Sequence, residues 1–354
     1  MPSFAHLGLP LSLSPHARLI RRVFTGAGSL QSASFRQEIL CKEETTTTRP
    51  AVHLPGQIER ATNGTEHQPL RAEIESILAP TYTHAPTVAY HIKNASVFDG
   101  CVFAGNLKHF VADRGIFGKG TEPRRLDVAA LASSTVGCRY FGHWLRDDCL
   151  QYMLAEHAAP PLCIRTQEYH HKDAYAGCFG QDWTPTDRAF VKELIVYQDF
   201  SQNASKRSRV DALRKRIAQA FPASPRKRDL VYLRRGNTGV RRVVADEAAL
   251  IEFLEKRGFA ILDVSAPVDT LLDVLTRAKL VVSMEGSQIA HCCLAIPLDA
   301  ALIVMEPADR FTAIHRHWAD SLGIGFGFVV GEPGANGYVF SGDEILKTAD
   351  LLLN

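Results

Sequence analysis

The chain of 354 residues has a formal net charge of +2, and 46% of its residues are hydrophobic and 22% charged. This length predicts two domains rather than one core, and the composition is typical of a globular protein. The balanced charge argues against a protein that binds nucleic acid or an anionic membrane through its overall field. The longest apolar runs fall short of the roughly 18 residues that indicate a membrane-spanning helix.

Cysteine and histidine spacings give no indication of a metal or disulfide framework. The eight cysteines show no C-x-x-C spacing, which favours reduced structural thiols. The pairs His170-His171 and His315/His317 lack convergent partners at zinc spacing. We therefore expect no metal site and no bound cofactor.

The first 86 residues differ in composition from the rest. The first 37 contain no Asp or Glu but several arginines and serines, a pattern shared with transit peptides. We favour a basic leader, because no cleavage signal is recognisable. The stretch that follows is low in hydrophobicity and typical of a linker. Residues 1–86 are therefore predicted to be a poorly ordered leader and linker.

Residues 87–203 are predicted to form a mixed α/β domain. Short β-like runs such as "SVFDGCVFAG" and "ELIVYQDF" flank one clear helix, from about Gly142 to His157. A basic helix follows, "SKRSRVDALRKRIAQAF", and we place the domain boundary near its start. Residues 204–354 then form the C-terminal domain.

The C-terminal domain alternates strands with helices. Strands are predicted at "DLVYLRR", "FAILDV", "KLVVSM", "AALIVMEP" and "GFGFVV". This alternation predicts parallel βαβ units in a doubly wound, Rossmann-like sheet. In such sheets ligands bind beside the loops at the carboxyl ends of the strands, so three loops are of interest.

The first loop, "LRRGNTGVRRVVADE", concentrates positive charge. Charge-assisted hydrogen bonds from guanidinium groups to phosphate oxygens would make it a diphosphate clamp. The alternative is a solvated basic loop, or one that pairs with Asp246 and Glu247. A nucleic-acid interface is disfavoured, because no aromatic side chains interleave with the neighbouring basic helix. The four clamp candidates are Arg234, Arg235, Arg241 and Arg242.

The second loop turns from a buried strand into a helix, and the third ends an apolar strand at Glu306. At the second, backbone N–H groups at a helix start could bind a phosphate or a sugar, but a simple N-cap explains the same residues. At the third, Glu306 could accept both ribose hydroxyls of a nucleotide, or it could be structural. The candidates at the second loop are Glu285, Gly286, Ser287 and Gln288.

A general base is predicted in the N-terminal domain. In "CRYFGHWLRDDCLQYM", His143 and Asp147 are one helical turn apart and share a face. An imidazole beside a carboxylate is the basic unit of general-base chemistry. The alternative is a packed histidine followed by a charge pair, Asp147-Asp148, on the helix surface.

Together these motifs resemble the glycosyltransferases of family 61, which include bacterial capsular-polysaccharide biosynthesis proteins. The elements "FGHWLRD", "VYLRRGNTGVRRVVADE", "VVSMEGSQIAH" and "IVMEP" occur in the family's order between Tyr140 and Pro307. The resemblance implies a GT-B-like fold, with two Rossmann-like domains facing across a cleft. It also implies inverting transfer of a sugar from a nucleotide-sugar donor to a hydroxyl of a glycan acceptor, and because no metal-ligand cluster is recognisable we expect this transfer to be metal-independent. We expect a cytoplasmic protein, with peripheral association to the inner membrane as an open alternative.

In this interpretation His143 and Asp147 deprotonate the acceptor, and the arginine loop stabilises the departing diphosphate. The turn at Glu285 then forms the floor of the donor pocket. The sequence departs from the family pattern there, because Glu285 stands where the family has histidine and Ser287 where it has alanine. The alternative is therefore a non-catalytic carbohydrate- or nucleotide-binding assembly subunit with the same fold.

Overall fold

The computed structural model describes residues 27–112, 123–222, 229–236 and 242–354. They form two compact units. The first contains the described residues up to Glu43 together with Ala85–Arg209, and the second contains Glu44–His84 and Val210–Asn354. The second unit therefore takes in a segment from before residue 87, and the division falls a few residues after the predicted boundary of 203/204.

A seven-stranded sheet forms the centre of the first unit. Its elements in chain order are α1 (Leu30–Ala33), β1 (Arg36–Cys41), β4 (Thr87–Phe98), β5 (Cys101–Ala104), β6 (Leu107–Phe110), β7 (Arg124–Leu131), α3 (Thr135–Arg139), α4 (Phe141–His143), α5 (Cys149–Ala158), β8 (Pro161–Leu162), α6 (Lys172–Phe179), β9 (Arg188–Gln198) and the first part of α7 (Ala204–Ala220). The strands lie in the order β6-β5-β4-β9-β7-β8, and β1 also pairs with β4.

This sheet is mixed rather than parallel. Strand β4 pairs antiparallel with β5 and β9, whereas β7 runs parallel to β8 and β9. Because β4 and β5 are joined by the tight turn at Asp99 and Gly100, both with positive φ, they pair as a hairpin. The α/β class is confirmed, but the expectation of a Rossmann-like parallel sheet in the N-terminal domain is wrong.

The predicted helix from Gly142 to His157 is confirmed with one irregularity. Between α4 and α5 the residues Trp144–Asp148 form a π-helical turn. Such turns widen the helix by one residue and often occur at functional sites. Here the turn carries Asp147 and begins directly after His143, so both base candidates lie at the irregularity.

The second unit contains a six-stranded sheet and a separate hairpin of two strands. Its elements are β2 (Glu44–Thr47), a 3-10 turn (Ile58–Arg60), α2 (Leu70–Leu78), β3 (Thr81–His84), the later part of α7, β10 (Asp229–Arg234), α8 (Glu247–Glu255), β11 (Phe259–Asp263), α9 (Val268–Leu275), β12 (Ala278–Met284), α10 (Ile289–Ala295), β13 (Ala301–Pro307), α11 (Ile314–Leu322), β14 (Gly325–Gly334), β15 (Gly337–Val339) and α12 (Gly342–Leu353).

The larger sheet follows the order β11-β10-β12-β13-β14-β15, and β10 to β14 are all parallel. Helices α8 and α12 contact each other and share one core cluster with the sheet. Helix α10 contacts both α9 and α11, and the buried side chains of these three helices lie outside that cluster. Helices therefore cover both faces, and the predicted doubly wound sheet is confirmed in this unit.

Residues 44–84 form strands and helices that belong to the second unit. The prediction of a poorly ordered leader and linker is therefore wrong for the described residues 27–86. Arg316 donates to backbone carbonyls of this segment: to that of Ser76 over 2.6 Å and to those of Arg49 and Ala79 over 2.9 Å. Arg60 forms a bidentate pair with Glu344 at 2.7 and 2.8 Å. These polar contacts compensate for the low hydrophobicity of the segment. Residues 1–26 of the predicted leader lie outside the described residues.

Candidate active site

The first cluster centres on Asp147 in the first unit. Nδ1 of His143 lies 2.6 Å from Oδ2 of Asp147, as their helical spacing predicts. The other carboxylate oxygen, Oδ1, accepts from the ammonium of Lys206. Asp147 and Lys206 are buried, whereas 26% of the His143 side chain is exposed. The imidazole thus lies between solvent and an interior carboxylate.

The pKa values of the adjacent carboxyl groups Asp147 and Asp148 are shifted in opposite directions. Burial alone would raise the pKa of Asp147, but the charge of Lys206 and the hydrogen bond with His143 hold it well below its usual range. Burial raises the pKa of Asp148 well above normal, and its hydrogen bonds from Ser134 do not offset this. Asp147 is therefore the more readily ionised of the two. Since both are buried, the alternative of a surface charge pair is wrong.

Asp148 helps to hold the π-helical turn in place. It accepts from the backbone amide of Ser134 over 3.1 and 3.2 Å and from the Ser134 hydroxyl over 2.5 Å. A Cβ atom at Gly137 would lie 2.1 Å from the Asp148 carboxyl group, so only glycine allows this approach. These contacts hold the turn that presents Asp147 and His143.

The second cluster lies at the carboxyl edge of the parallel sheet in the second unit. In the sheet order, β11 and β12 flank β10 on opposite sides, so the chain reverses its winding direction between β10 and β12. Ligands of doubly wound sheets bind at such a switch point. Arg234 and Arg235 end or follow β10, Glu285 follows β12, and Glu306 lies near the end of β13. The three predicted loops therefore meet at this edge.

Glu285 is the centre of this cluster. Oε2 of Glu285 lies 2.7 Å from Nη1 of Arg242 and 3.1 Å from Nη1 of Arg310, and Oε1 lies 3.5 Å from Nε2 of His315. Arg235 donates to the Glu285 backbone carbonyl over 2.6 Å. A carboxylate of the protein thus contacts Arg242, one of the arginines of the predicted diphosphate clamp.

The cluster carries excess positive charge. Burial raises the pKa of Glu285, but the hydrogen bond with His315 and the charge of Arg242 outweigh it, so the pKa falls below the usual range. Burial and the charge of Glu285 raise the pKa of Glu306 far above normal. Burial and the charge of Arg242 lower the pKa of Arg235 to about 10, which leaves it cationic at neutral pH. Arg235, Arg242 and Arg310 thus place three guanidinium groups around the carboxylate and backbone carbonyl of Glu285.

Gly286 allows the close approach of Arg235. Its φ is +155°, and an added Cβ would lie 1.6 Å from Nη1 of Arg235. Gln288 is buried and donates to the Ser283 hydroxyl over 3.1 Å and to the Met284 carbonyl. Ser287 is half-buried in the same turn. Gly286 and Gln288 therefore shape the turn, and Glu306 lies fully buried behind it.

The four arginines of the predicted clamp have different environments. Nη2 of Arg234 lies 3.0 Å from Glu247 and Nη1 lies 3.3 Å from Asp263. Arg234 therefore pairs with carboxylates of the protein, as the alternative interpretation of the loop predicts. Arg235 and Arg242 both contact Glu285. Arg241 lies outside the described residues. The structure therefore brings Arg235 and Arg242 together and directs Arg234 to separate partners.

Residues of both clusters lie in a part of the chain that matches a known protein family. The family model Glycosyltransferase 61 matches residues 141–302. The chain carries a glycosyltransferase family 61 region. The resemblance inferred from the motifs is thus confirmed, and the matched range contains His143, Asp147, Arg235, Arg242 and Glu285. No curated protein matches the chain.

Three residues of the two clusters were not predicted from the sequence. Lys206 lies in a basic helix, where it resembles its surface neighbours, and Arg310 and His315 follow the third loop. Their approach to Asp147 and Glu285 depends on tertiary packing. No signal in the sequence singles out Lys206 from the other cations of its helix.

Within the described residues, no group of three or more His, Cys, Asp or Glu could hold a metal ion. No helix in that part of the chain is long and apolar enough to cross a membrane.

Proposed function

We propose that the protein is an inverting glycosyltransferase that moves a sugar from a nucleotide-sugar donor to a hydroxyl of a glycan acceptor. The surplus of buried positive charge at the switch point of the second unit carries this proposal. A departing nucleoside diphosphate needs cationic stabilisation in a site of low dielectric. The family match supports transferase activity in general. We also propose a GT-B-like arrangement and a role in surface polysaccharide synthesis, as the resemblance implies.

The first unit supplies what an inverting transfer needs on the acceptor side. Inversion in one step requires a base that takes the proton of the attacking hydroxyl. In the His143–Asp147 pair the carboxylate fixes the ring through Nδ1 and stabilises the imidazolium that forms. We assign His143 as the base and Asp147 as its orienting partner.

A second candidate function is favoured by one observation. Glu285 occupies the space between Arg242 and Arg310, so an anionic ligand must compete with it or bind beside it. A protein that binds carbohydrate or nucleotide without turnover would tolerate this arrangement. Donor binding without transfer or donor hydrolysis would identify this non-catalytic subunit.

A panel of nucleotide sugars tests the proposal. Thermal stabilisation of the purified protein by one donor, followed by transfer or donor hydrolysis with that donor, is the expected result. The free nucleoside diphosphate should stabilise the protein as well, because the cationic groups bind the diphosphate. The absence of stabilisation by every donor and every diphosphate would contradict both candidate functions.

Replacing Arg242 by alanine should weaken nucleotide binding. A charge-assisted hydrogen bond contributes about 1.5–3 kcal/mol, which is roughly one to two decades in affinity. Isothermal titration with the nucleoside diphosphate measures this loss, and Arg257→Ala, on an exposed helix end of the same unit, is the matched control. Unchanged affinity in Arg242→Ala would remove the cluster from the donor site.

Activity should survive chelation. The guanidinium groups near Glu285 supply the positive charge that a divalent cation provides in metal-dependent transferases. Transfer rates measured with and without EDTA should therefore be nearly equal. Complete loss of activity that Mn²⁺ or Mg²⁺ restores would show that the diphosphate charge is carried by a metal instead.

A further inference from the structure

Lys206 approaches the base from a separate helix. It lies in the first turn of α7 with its side chain fully buried. Its ammonium donates to Oδ1 of Asp147 and, over 2.8 Å, to the backbone carbonyl of Asp199. Its backbone amide donates to Oδ1 of Asn203 over 3.1 Å, which fixes the start of the helix. The position of the ammonium is therefore set by both its backbone and its acceptors.

The charge of Lys206 is compensated by Asp147 rather than by Asp199. Both carboxylate oxygens of Asp199 accept from Arg209 over 2.8 Å, and one also accepts from Thr87 over 2.9 Å. Lys206 reaches only the carbonyl of that residue. A buried ammonium is costly unless a carboxylate pairs with it, and Asp147 is the carboxylate it contacts.

Stability alone does not account for this lysine. A buried ion pair is often no more stable than well-packed apolar side chains of similar size. The same pair has a clear chemical effect, however, because the partner of Lys206 is also the partner of His143. Because Asp147 is hydrogen-bonded to His143, a charge that fixes Asp147 also acts on the imidazole ring.

We propose that Lys206 is a positioning residue that keeps Asp147 ionised and fixed, so that Asp147 orients the His143 ring through Nδ1. This inference rests on the proposed function only in so far as His143 is the base. Lys206 itself does not touch the reacting atoms. It acts through Asp147, as the third member of a Lys206–Asp147–His143 chain.

The groups that face Asp147 determine the sign of the expected effect. His143 precedes it on the same helical segment, Lys206 lies on α7, and burial raises the pKa of the neighbouring Asp148. His143 and Asp147 are in contact, so a charge that acts on one of them also acts on the other. Removing the positive charge of Lys206 makes proton uptake by this pair easier, so the pair should bind its proton at a higher pH.

The test is the pH dependence of the Lys206→Gln variant. Glutamine keeps a hydrogen-bond donor but removes the charge. The acid limb of kcat should move upward by about one pH unit or more, the size of effect expected from a close opposite charge. The titration of the His143 ring followed by NMR in the full chain should move in the same direction. The matched control is Lys192→Gln, an exposed lysine that pairs with Asp127 over 2.6 Å.

Three outcomes decide between a positioning role and a structural one. A pH profile and ring titration identical to those of the wild type would overturn the proposal. If Lys206→Gln does not fold, the double variant Lys206→Met with Asp147→Asn removes both charges and should fold. Its kcat should equal that of Asp147→Asn alone, and an additional loss would also overturn the proposal. Wild-type inactivity with every donor would contradict the proposed function, while the ring titration would still test Lys206.

Discussion

Replacing His143 by alanine should lower turnover by about 10²–10⁴-fold while donor affinity stays near that of the wild type. The imidazole is the partly exposed member of the Lys206–Asp147–His143 chain, and Nδ1 is held by Asp147 at 2.6 Å. Its loss removes proton transfer in the transition state but no donor contact. Transfer kinetics and donor titration on the same preparation measure the two effects separately.

Two further variants sharpen this prediction. Asp147→Asn should act in the same direction but more weakly, because the imidazole remains. His157→Ala, on an exposed position in the last turn of α5, should leave turnover unchanged. The pH profile of the wild type should be flat on its alkaline side and fall on its acid side, since only neutral imidazole accepts a proton. Full activity of His143→Ala would transfer the role of base to another group.

Local geometry explains which parts of this arrangement were predictable. The pairing of His143 with Asp147 follows from helical spacing alone, and the strands of the second unit follow from their alternation with helices. The convergence of Arg235, Glu285 and Glu306 follows from one topological rule, because the carboxyl ends of parallel strands meet at one edge of the sheet. These features need no knowledge of how distant elements pack.

Contacts between distant elements were not predictable. Lys206 is separated from Asp147 in the sequence by α5, β8, α6 and β9, and nothing in its local pattern predicts this contact. Residues 44–84 have the composition of a linker, yet Arg316 binds their carbonyls from α11. In both cases a buried cation determines the contact, and its partner lies on another element. Periodicity and composition contain no information about such a partner.

The surroundings of Glu285 were not predictable either. The sequence predicted a diphosphate clamp of arginines, with a solvated loop or pairing to Asp246 and Glu247 as the alternative. The structure places a carboxylate of the protein there, with Arg242, Arg310 and His315 around it. A surplus of positive charge remains after this pairing. An anionic ligand and Glu285 therefore interact with the same cations, and this competition can be measured.

Replacing Glu285 by glutamine should lower the free energy of unfolding by about 3–5 kcal/mol, because it leaves buried guanidinium groups without their counter-charge. Glu285 is 5% exposed, so solvent offers little compensation. The pKa of Glu285 is lowered in the folded protein by His315 and the arginines, which outweigh the effect of burial. Its contribution to stability is therefore present at neutral pH and is lost as the pH falls through the folded pKa. Denaturant unfolding at neutral and acidic pH measures both parts.

Pyrophosphate distinguishes an anion site from a purely structural ion network. In Glu285→Gln the cations have lost their internal anion, so added pyrophosphate should raise the melting temperature of the variant more than that of the wild type. Linkage sets the scale, since a ligand at 100 times its Kd stabilises the folded state by about 2.7 kcal/mol. Glu332→Gln, which removes an exposed carboxylate near Arg60, is the matched control and should respond like the wild type. The absence of any stabilisation of the Glu285→Gln variant by pyrophosphate would mean that the cluster holds the turn together and binds no phosphate, and the donor site would have to lie elsewhere.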